Sequence, residues 1–313
     1  MLVSLLRPGL NSRLGTLRLS VLILFLGYGG SIALSPYFLT SGNVENLVTQ
    51  VAALCISAMG QALVIVTGGL DISLGSVISL TTAIVSLPLA PVVTFPCAIA
   101  AAIVIGLING AGIARFNVHP IIMTLSTMSI AQGAAFLLRP IPGGTVPVWL
   151  TAIVQGNFGG VPYALVWIAI AVVAGVLLLH RSRFGLHLFA TGGNIENSRL
   201  NGVKTQRVIV LAYVLCSLFA CFTGLFLAGR LSSGDPKVGA VFSLDSVTAV
   251  ALGGISLAGG IGSAAGAIIG SLLVGMISNT MNLINVSAFV QSVIKGLLLL
   301  AVVTVQRRKQ IGL

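Results

Sequence analysis

Few residues in this chain could take part in chemistry. Its carboxylates are Glu45, Asp71, Glu196, Asp235 and Asp245, and no two stand at the spacing of an acid–base pair. His119, His180 and His187 lack acidic companions, so no metal site is expected. Cys55, Cys97, Cys216 and Cys221 lie in apolar runs without CxxC spacing and read as small buried hydrophobes. There is no nucleophile elbow and no GxxxxGK phosphate loop. The sequence therefore predicts no catalytic residue, no metal, no cofactor held by this chain, and no means of its own to hydrolyse ATP.

What remains is polar chemistry of another kind. Asp71 follows Gly68, Gly69 and Leu70 and precedes Ser73. It reads either as the N-cap of the helix that follows or as a substrate contact. Asp245 opens a later apolar run and has the same two readings. Lys295 lies about seven residues inside the last run, too deep to snorkel, so it should face the interior and find a carboxylate or carbonyl partner. The most polar stretch is ATGGNIENSRLNGV at 190–203, between Arg181, Arg183 and His187 on one side and Lys204 and Arg207 on the other.

The elements that position these groups must live in lipid. The chain has 313 residues, 57% hydrophobic and only 7% charged, and its mean hydropathy is +1.11. A soluble domain carries about 25% charged residues, so lipid must solvate most of this chain. Ten apolar runs approach the ~20 residues a spanning helix needs. They fall at 19–39, 46–66, 72–90, 96–114, 120–138, 161–180, 208–230, 245–259, 263–284 and 288–305. The fold class expected is an all-α integral membrane protein, one transmembrane domain over 1–313. The first run could be mistaken for a cleaved signal peptide, but nine more follow it, which favours an uncleaved anchor.

Lys and Arg set the orientation. With the N-terminus inside, the inner segments hold Arg7, Arg13, Arg18, Arg115, Arg181, Arg183, Arg199, Lys204, Arg207, Arg307, Arg308 and Lys309. The outer segments hold Arg139, Arg230 and Lys237, and the opposite orientation inverts this bias. Residues 1–18, the loop 181–207 and the tail 306–313 are then cytoplasmic. The same distribution argues against nucleic acid as the partner of a chain with net charge +11, because the basics separate apolar runs instead of sharing one face.

The chain also resembles itself. GGLDISLGS at 68–76 is set against GGISLAGGIGS at 253–263, and FNVHPII at 116–122 against INVSAFV at 284–290. Five spans per half would make two inverted units; chance recurrence in a chain with 38 glycines is the alternative. Unwound backbone at membrane depth is tolerated only against protein or a watery cavity. Gly68, Gly69, Asp71, Ser73, Gly253, Gly254 and Ser256 are therefore candidate pathway lining. Gly262, Gly266 and Gly270, spaced by four, should line one helix side for close packing, and Gly106 and Gly110 do the same at the fourth span.

Several motifs together carry a family resemblance. AVALGGISLAGGIGS at 249–263, VTGGLDISLGS at 66–76, HPIIMTLSTMSIAQG at 119–133 and GRLSSGDPKVG at 229–239 are similar to the ribose-type permease subunits of bacterial ABC importers, in the branched-chain amino acid and sugar permease superfamily. The resemblance runs from about residue 36 to 305. It implies a Type II-like importer permease in the bacterial cytoplasmic (inner) membrane, moving a small neutral sugar or sugar-like solute. It also implies cytoplasmic ATPase subunits that hold ATP and Mg, an external solute-binding protein, and a second permease subunit, identical or paralogous.

In that family the polar turn resembles the coupling helix that sits in a groove of the ATPase. The residues suit it. Asn194, after Gly193, can cap a short helix; Glu196 favours its N-terminal end; Arg199 can pair with Glu196; Gly202 can end it in a left-handed conformation. A solvated inter-helix loop is the plainer reading. Two outer segments, 139–160 with Trp149 and 231–244 with Asp235 and Lys237, could dock the binding protein. The first could equally be an interfacial segment with Trp149 in an aromatic belt. A branched-chain amino acid ABC permease and an ion-coupled secondary transporter are the rival functions.

Overall fold

The computed structural model describes residues 13–305. The expected cytoplasmic tail 306–313, and 1–12 of the expected cytoplasmic N-terminus, lie outside the described residues. Thirteen α-helices follow one another: α1 (Arg13–Leu34), α2 (Ser41–Val66), α3 (Leu74–Val85), α4 (Pro91–Phe116), α5 (Pro120–Leu138), α6 (Val148–Gln155), α7 (Ala164–Val176), α8 (Arg183–Gly193), α9 (Ile195–Leu200), α10 (Thr205–Leu231), α11 (Ala240–Leu252), α12 (Ala264–Leu283) and α13 (Ala288–Val305). A π-turn, Leu177–Arg181, prolongs α7. Between α6 and α7, strands β1 (Asn157–Phe158) and β2 (Val161–Pro162) form a small antiparallel hairpin with Phe158 opposite Val161.

Six of the ten expected spans are met by helices long and apolar enough to cross a membrane: α2, α4, α5, α7 with its π-turn, α10 and α12. At 1.5 Å per residue α2 is about 39 Å long, more than the ~30 Å of hydrocarbon. The other four runs coincide with shorter apolar helices, Ser20–Leu34, Leu74–Val85, Ala240–Leu252 and Ala288–Thr304.

Several boundaries differ from the sequence reading by about five residues, among them the first run, helical from Arg13 to Leu34, and the second, which begins at Ser41. The third run is helical only from Leu74 to Val85, and the eighth begins at Ala240, not at 245. In both cases a stretch without helical hydrogen bonds, 67–73 and 232–239, precedes the helix and is held by side chains of neighbouring helices. The fourth run begins earlier than expected, at Pro91, because a proline at the first helical position gives up an N–H that has no partner anyway.

α2 and α10 form the centre. Every residue of α2 from Val51 to Val66 is buried, which suits a helix apolar on all sides. α10 packs on α4, α3 and α2, while α2 packs on α10, α12 and α11. Gly106 and Gly110 let α4 approach α10 closely. A Cβ on either would stand 2.6 Å from a backbone Cα of α10, at Val214 and Val210 respectively. These glycines pack helices within the chain.

Part of the neighbour pattern recurs when α2, α3, α4 and α5 are compared with α10, α11, α12 and α13, although α4 packs on α5 while α12 does not pack on α13 to a like extent. α3 touches α4 and α5 as α11 touches α12 and α13. FNVHP and INVSA each lie between two helices. Asn117 ends α4 and Asn285 follows α12, with φ of 53° and 56°, and α5 and α13 begin three residues later. The other sequence match does not hold. GGLDISLGS and GGISLAGGIGS would stand at opposite ends of an inverted pair, yet they meet at one end, where Gly260 N donates to Val66 O at 2.9 Å.

Candidate functional site

The polar turn forms two short helices. Ser182 caps α8, its Oγ accepting from Gly185 N at 3.0 Å. Asn194 then caps α9, its Oδ1 accepting from Asn197 N at 2.9 Å. Gly202 takes φ +81° just beyond α9, and Val203 N closes the end on Ser198 O at 3.0 Å. That is the left-handed stop a glycine supplies without steric cost. Glu196 and Arg199 stand 3.9 Å apart, with 69% and 66% of their side chains exposed. So α9 is a short helix, a peg stopped at both ends, whose charges are presented outward.

The peg's base is wedged into the bundle by backbone. Gly192, in the last turn of α8, sits so close to the end of α2 that an added Cβ would overlap the Val66 carbonyl oxygen. The same Cβ would stand 2.7 Å from Gly260 N, and a Cβ on Gly260 would stand 2.8 Å from Gly193 Cα. Three turns, 66–69, 192–193 and 259–260, therefore meet with no side chain between them. Here lie Gly68, which is exposed, and Gly69, whose Cβ position is 2.5 Å from the Tyr213 hydroxyl. Gly253 is buried and Gly254 and Ser256 are half-buried in the turn after α11. His180 adds a tie: its Nε2 accepts from Ala264 N, at the start of α12, at 3.1 Å.

Above this junction the chain from Gly69 to Ser73 crosses the interior unwound. Asp71 is fully buried, and its Oδ1 accepts from Ser73 N at 2.9 Å and Ser73 Oγ at 2.6 Å. Oδ2 has no hydrogen-bond partner among the described residues, with the Cys216 thiol beside it. Asn109 Nδ2 donates to Ser73 Oγ at 2.8 Å, and Thr127 Oγ1 donates to Asn109 Oδ1 at 2.6 Å. With its amide turned to satisfy both groups, Gln61 donates to Asp71 O at 3.1 Å and accepts Asp71 N at 3.3 Å. Tyr213 donates to Leu70 O at 3.3 Å. Helices α2, α4, α5 and α10 thus supply the hydrogen bonds that an unwound segment lacks.

The second unwound stretch, 232–239, enters from the other end. Thr82 Oγ1 donates to Asp235 O at 2.8 Å, Gln132 Nε2 to Pro236 O at 2.6 Å, and Gly239 N to Ser79 Oγ at 3.0 Å. Asp235 Oδ1 accepts Lys237 N at 2.8 Å, and Lys237 Nζ lies 6.0 Å from the Phe136 ring centre. The starts of α3 and α11 cross here, Ser243 Oγ donating to Ile72 O at 2.9 Å.

Asp245 is not at a helix start. It lies in the second turn of α11, and its Oδ2 is 2.6 Å from Lys295 Nζ of α13; the side chains are only 13% and 18% exposed. The pair is expected to hold together because each charge alone would be stranded away from water. Gly266 and Gly270 sit on α12 and let it approach the carbonyls of Gly253 and Ala249, but Gly262 precedes the helix and packs on Ile255. The expected three-glycine stripe therefore has two members, because Ser263 caps α12 and starts it at Ala264.

Residues 139–160 fold onto the end of α10. Leu150 and Val154 of α6 are buried there, Trp167 Nε1 donates to Ile153 O at 3.0 Å, and Trp149 packs on Phe95. The sequence reading missed Gln61, Asn109, Thr127 and Tyr213 around Asp71, and Gly192 under the peg. Amides inside apolar runs were the available signal for the first group; only the packed structure reveals the last.

A family model described as branched-chain amino acid transport system / permease component matches residues 43–303. The chain is 36% identical over 288 residues to the ribose import permease protein of Escherichia coli, covering 88% of this chain and 89% of that one. It is 32% identical over 316 residues to the galactose/methyl galactoside import permease protein of Haemophilus influenzae, covering 92% and 93%. Against the L-arabinose ABC transporter permease protein of Azospirillum brasilense it is 31% identical over 301 residues, covering 93% and 88%. No solved structure matches the chain.

Proposed function

Since this chain belongs to the branched-chain amino acid transport system / permease component family, we propose that it is the permease subunit of a binding-protein-dependent ABC importer for a small neutral sugar. Its relatives are named as import permeases for ribose, galactose and methyl galactoside, and as an arabinose permease. Power comes from a separate ATPase subunit that holds ATP and Mg, while this subunit supplies the passage through the bacterial inner membrane.

The observation that carries the mechanism is the peg α9 standing on the glycine junction. A short, capped helix with an exposed Glu196–Arg199 pair is suited to a groove on another protein. Its base presses directly on the ends of α2 and α11–α12, so a push on the peg moves both. The Lys and Arg bias supports a reading with this end and both termini in the cytoplasm and ten crossings. The partly recurring neighbour pattern and the like turns at Asn117 and Asn285 are in keeping with two inverted halves of five. Rocking of the halves would open the passage alternately, with the unwound stretches near Asp71, Ser73, Gly253 and Ser256 as its candidate lining. A second permease subunit completes the passage, and an external binding protein delivers the sugar, docking near Asp235 and Lys237.

Proteoliposomes holding permease and ATPase should accumulate ribose, galactose or arabinose only with binding protein outside and ATP inside. Accumulation driven by an ion gradient without ATP would overturn the reading. Transport of leucine but of no sugar would move the protein to the amino acid branch that the family description names.

A further inference from the structure

An open hollow of about 310 Å³ lies at the end of the bundle away from the peg, with Glu45, Asn46, Gln155 and Asn157 exposed on its walls. Small-molecule sites begin at about 300 Å³. Its polar walls come from three places: Glu45, Asn46 and Thr49 in the first turns of α2, Gln155 and Asn157 at the α6–β1 corner, and Arg230 in the last turn of α10. The walls are fixed to one another. Gln155 Nε2 donates to Gly229 O at 3.2 Å, to Arg230 O at 2.9 Å and to Ser232 Oγ at 3.0 Å.

The two charges in this cavity do not meet. The only ion pairs among the described residues are Glu196–Arg199 and Asp245–Lys295, so Arg230 and Glu45 share a space without closing on each other. Arg230 is half-buried and makes no side-chain hydrogen bond among the described residues. A partly desolvated guanidinium seeks acceptors, and a carboxylate across the space seeks donors. An anion would suit the first and be repelled by the second, and a cation the reverse. A hydroxyl group both donates and accepts, so a neutral molecule with several hydroxyls satisfies both walls at once.

We propose that this cavity receives a monosaccharide as it leaves the external binding protein, Arg230 donating to its hydroxyls and Glu45 and the Asn157 amide accepting from them. The inference rests on the sugar-importer reading and adds a first station on the membrane subunit. The lining holds no aromatic ring on which a sugar could stack, so binding is weak and release fast, as a transit point requires.

The test uses the whole complex in proteoliposomes, with radiolabelled D-ribose, D-galactose and L-arabinose offered in turn. Glu45→Gln and Arg230→Met should each cut the sugar moved per ATP hydrolysed by about tenfold, the size of one lost charge-assisted hydrogen bond. Stimulation of the ATPase by binding protein should stay as in the parent. Glu45 is exposed, so its variant folds even if the Arg230 variant does not. An unchanged sugar-to-ATP ratio in Glu45→Gln overturns the proposal. So does loss of ATPase stimulation, which would assign the cavity to a side chain of the docked binding protein. A parent complex that moves none of the three sugars would instead sink the sugar-importer reading itself.

Discussion

The two short helices α3 and α11 each follow an unwound stretch and each pack on two neighbouring helices, yet they are tied down by different chemistry. α3 is tied to α5 by neutral groups, Ser76 Oγ lying 3.4 Å from Gln132 Oε1. α11 is tied to α13 by the Asp245–Lys295 ion pair. The unwound stretches before them differ as well. The one at 67–73 is organised around a buried Asp71 and abuts the peg through bare backbone. The one at 232–239 hangs on hydroxyls and an amide of α3 and α5, far from the peg. Similar contact patterns therefore serve unlike tasks. The first break touches the base of the peg, and the second rides on α3.

The largest effect should come from breaking the charged tie. Lys295→Met leaves Asp245 stranded and should cost about 3–5 kcal/mol, read as a lowered midpoint of thermal unfolding in detergent. Adding Asp245→Leu should restore most of it. A single variant as stable as the parent would mean that the pair is not held away from water. Next, Gly192→Val should overpack the junction by about 1–3 kcal/mol. Its signature is loss of binding-protein-stimulated ATPase activity, while Gly193→Ala, whose Cβ meets nothing within 4 Å, keeps it. Equal behaviour of the two would contradict the junction's role.

Asp71→Ala removes the acceptor of a buried N–H and should cost about 1–3 kcal/mol. The matching Asp235→Ala should cost less than about 1 kcal/mol, because its partner, Lys237 N, lies in an exposed turn. Equal costs would erase the contrast between the two breaks. Smallest in stability is Glu196→Lys, within about 0.5 kcal/mol on an exposed peg. It should nonetheless reduce recovery of the ATPase with the purified permease. Unchanged recovery would place the partner contact elsewhere.

Helices such as α2 and α10 could be read from composition, because length and apolarity suffice for a span. The peg was legible too, since caps are local: Asn194 and Gly202 act on residues within one turn. The breaks were only half legible. Glycine and proline announce that 67–73 and 232–239 can leave the helix, but where α3 and α11 begin depends on Asn109, Thr82 and Ser79 reaching across from other helices. Asp245 was misplaced for that reason: its run looked five residues shorter at the start than α11 proves to be. Short α6 and α8 escaped notice because their hydrophobic residues match surfaces supplied by the rest of the chain.

Where Gly192 meets Val66 and Gly260, only peptide planes touch. Side chains hop between rotamers in picoseconds to nanoseconds and can soak up small displacements. Peptide planes cannot, so this joint has no slack. On the proposed mechanism, a displacement of the peg would reach the end of α2 through this backbone contact.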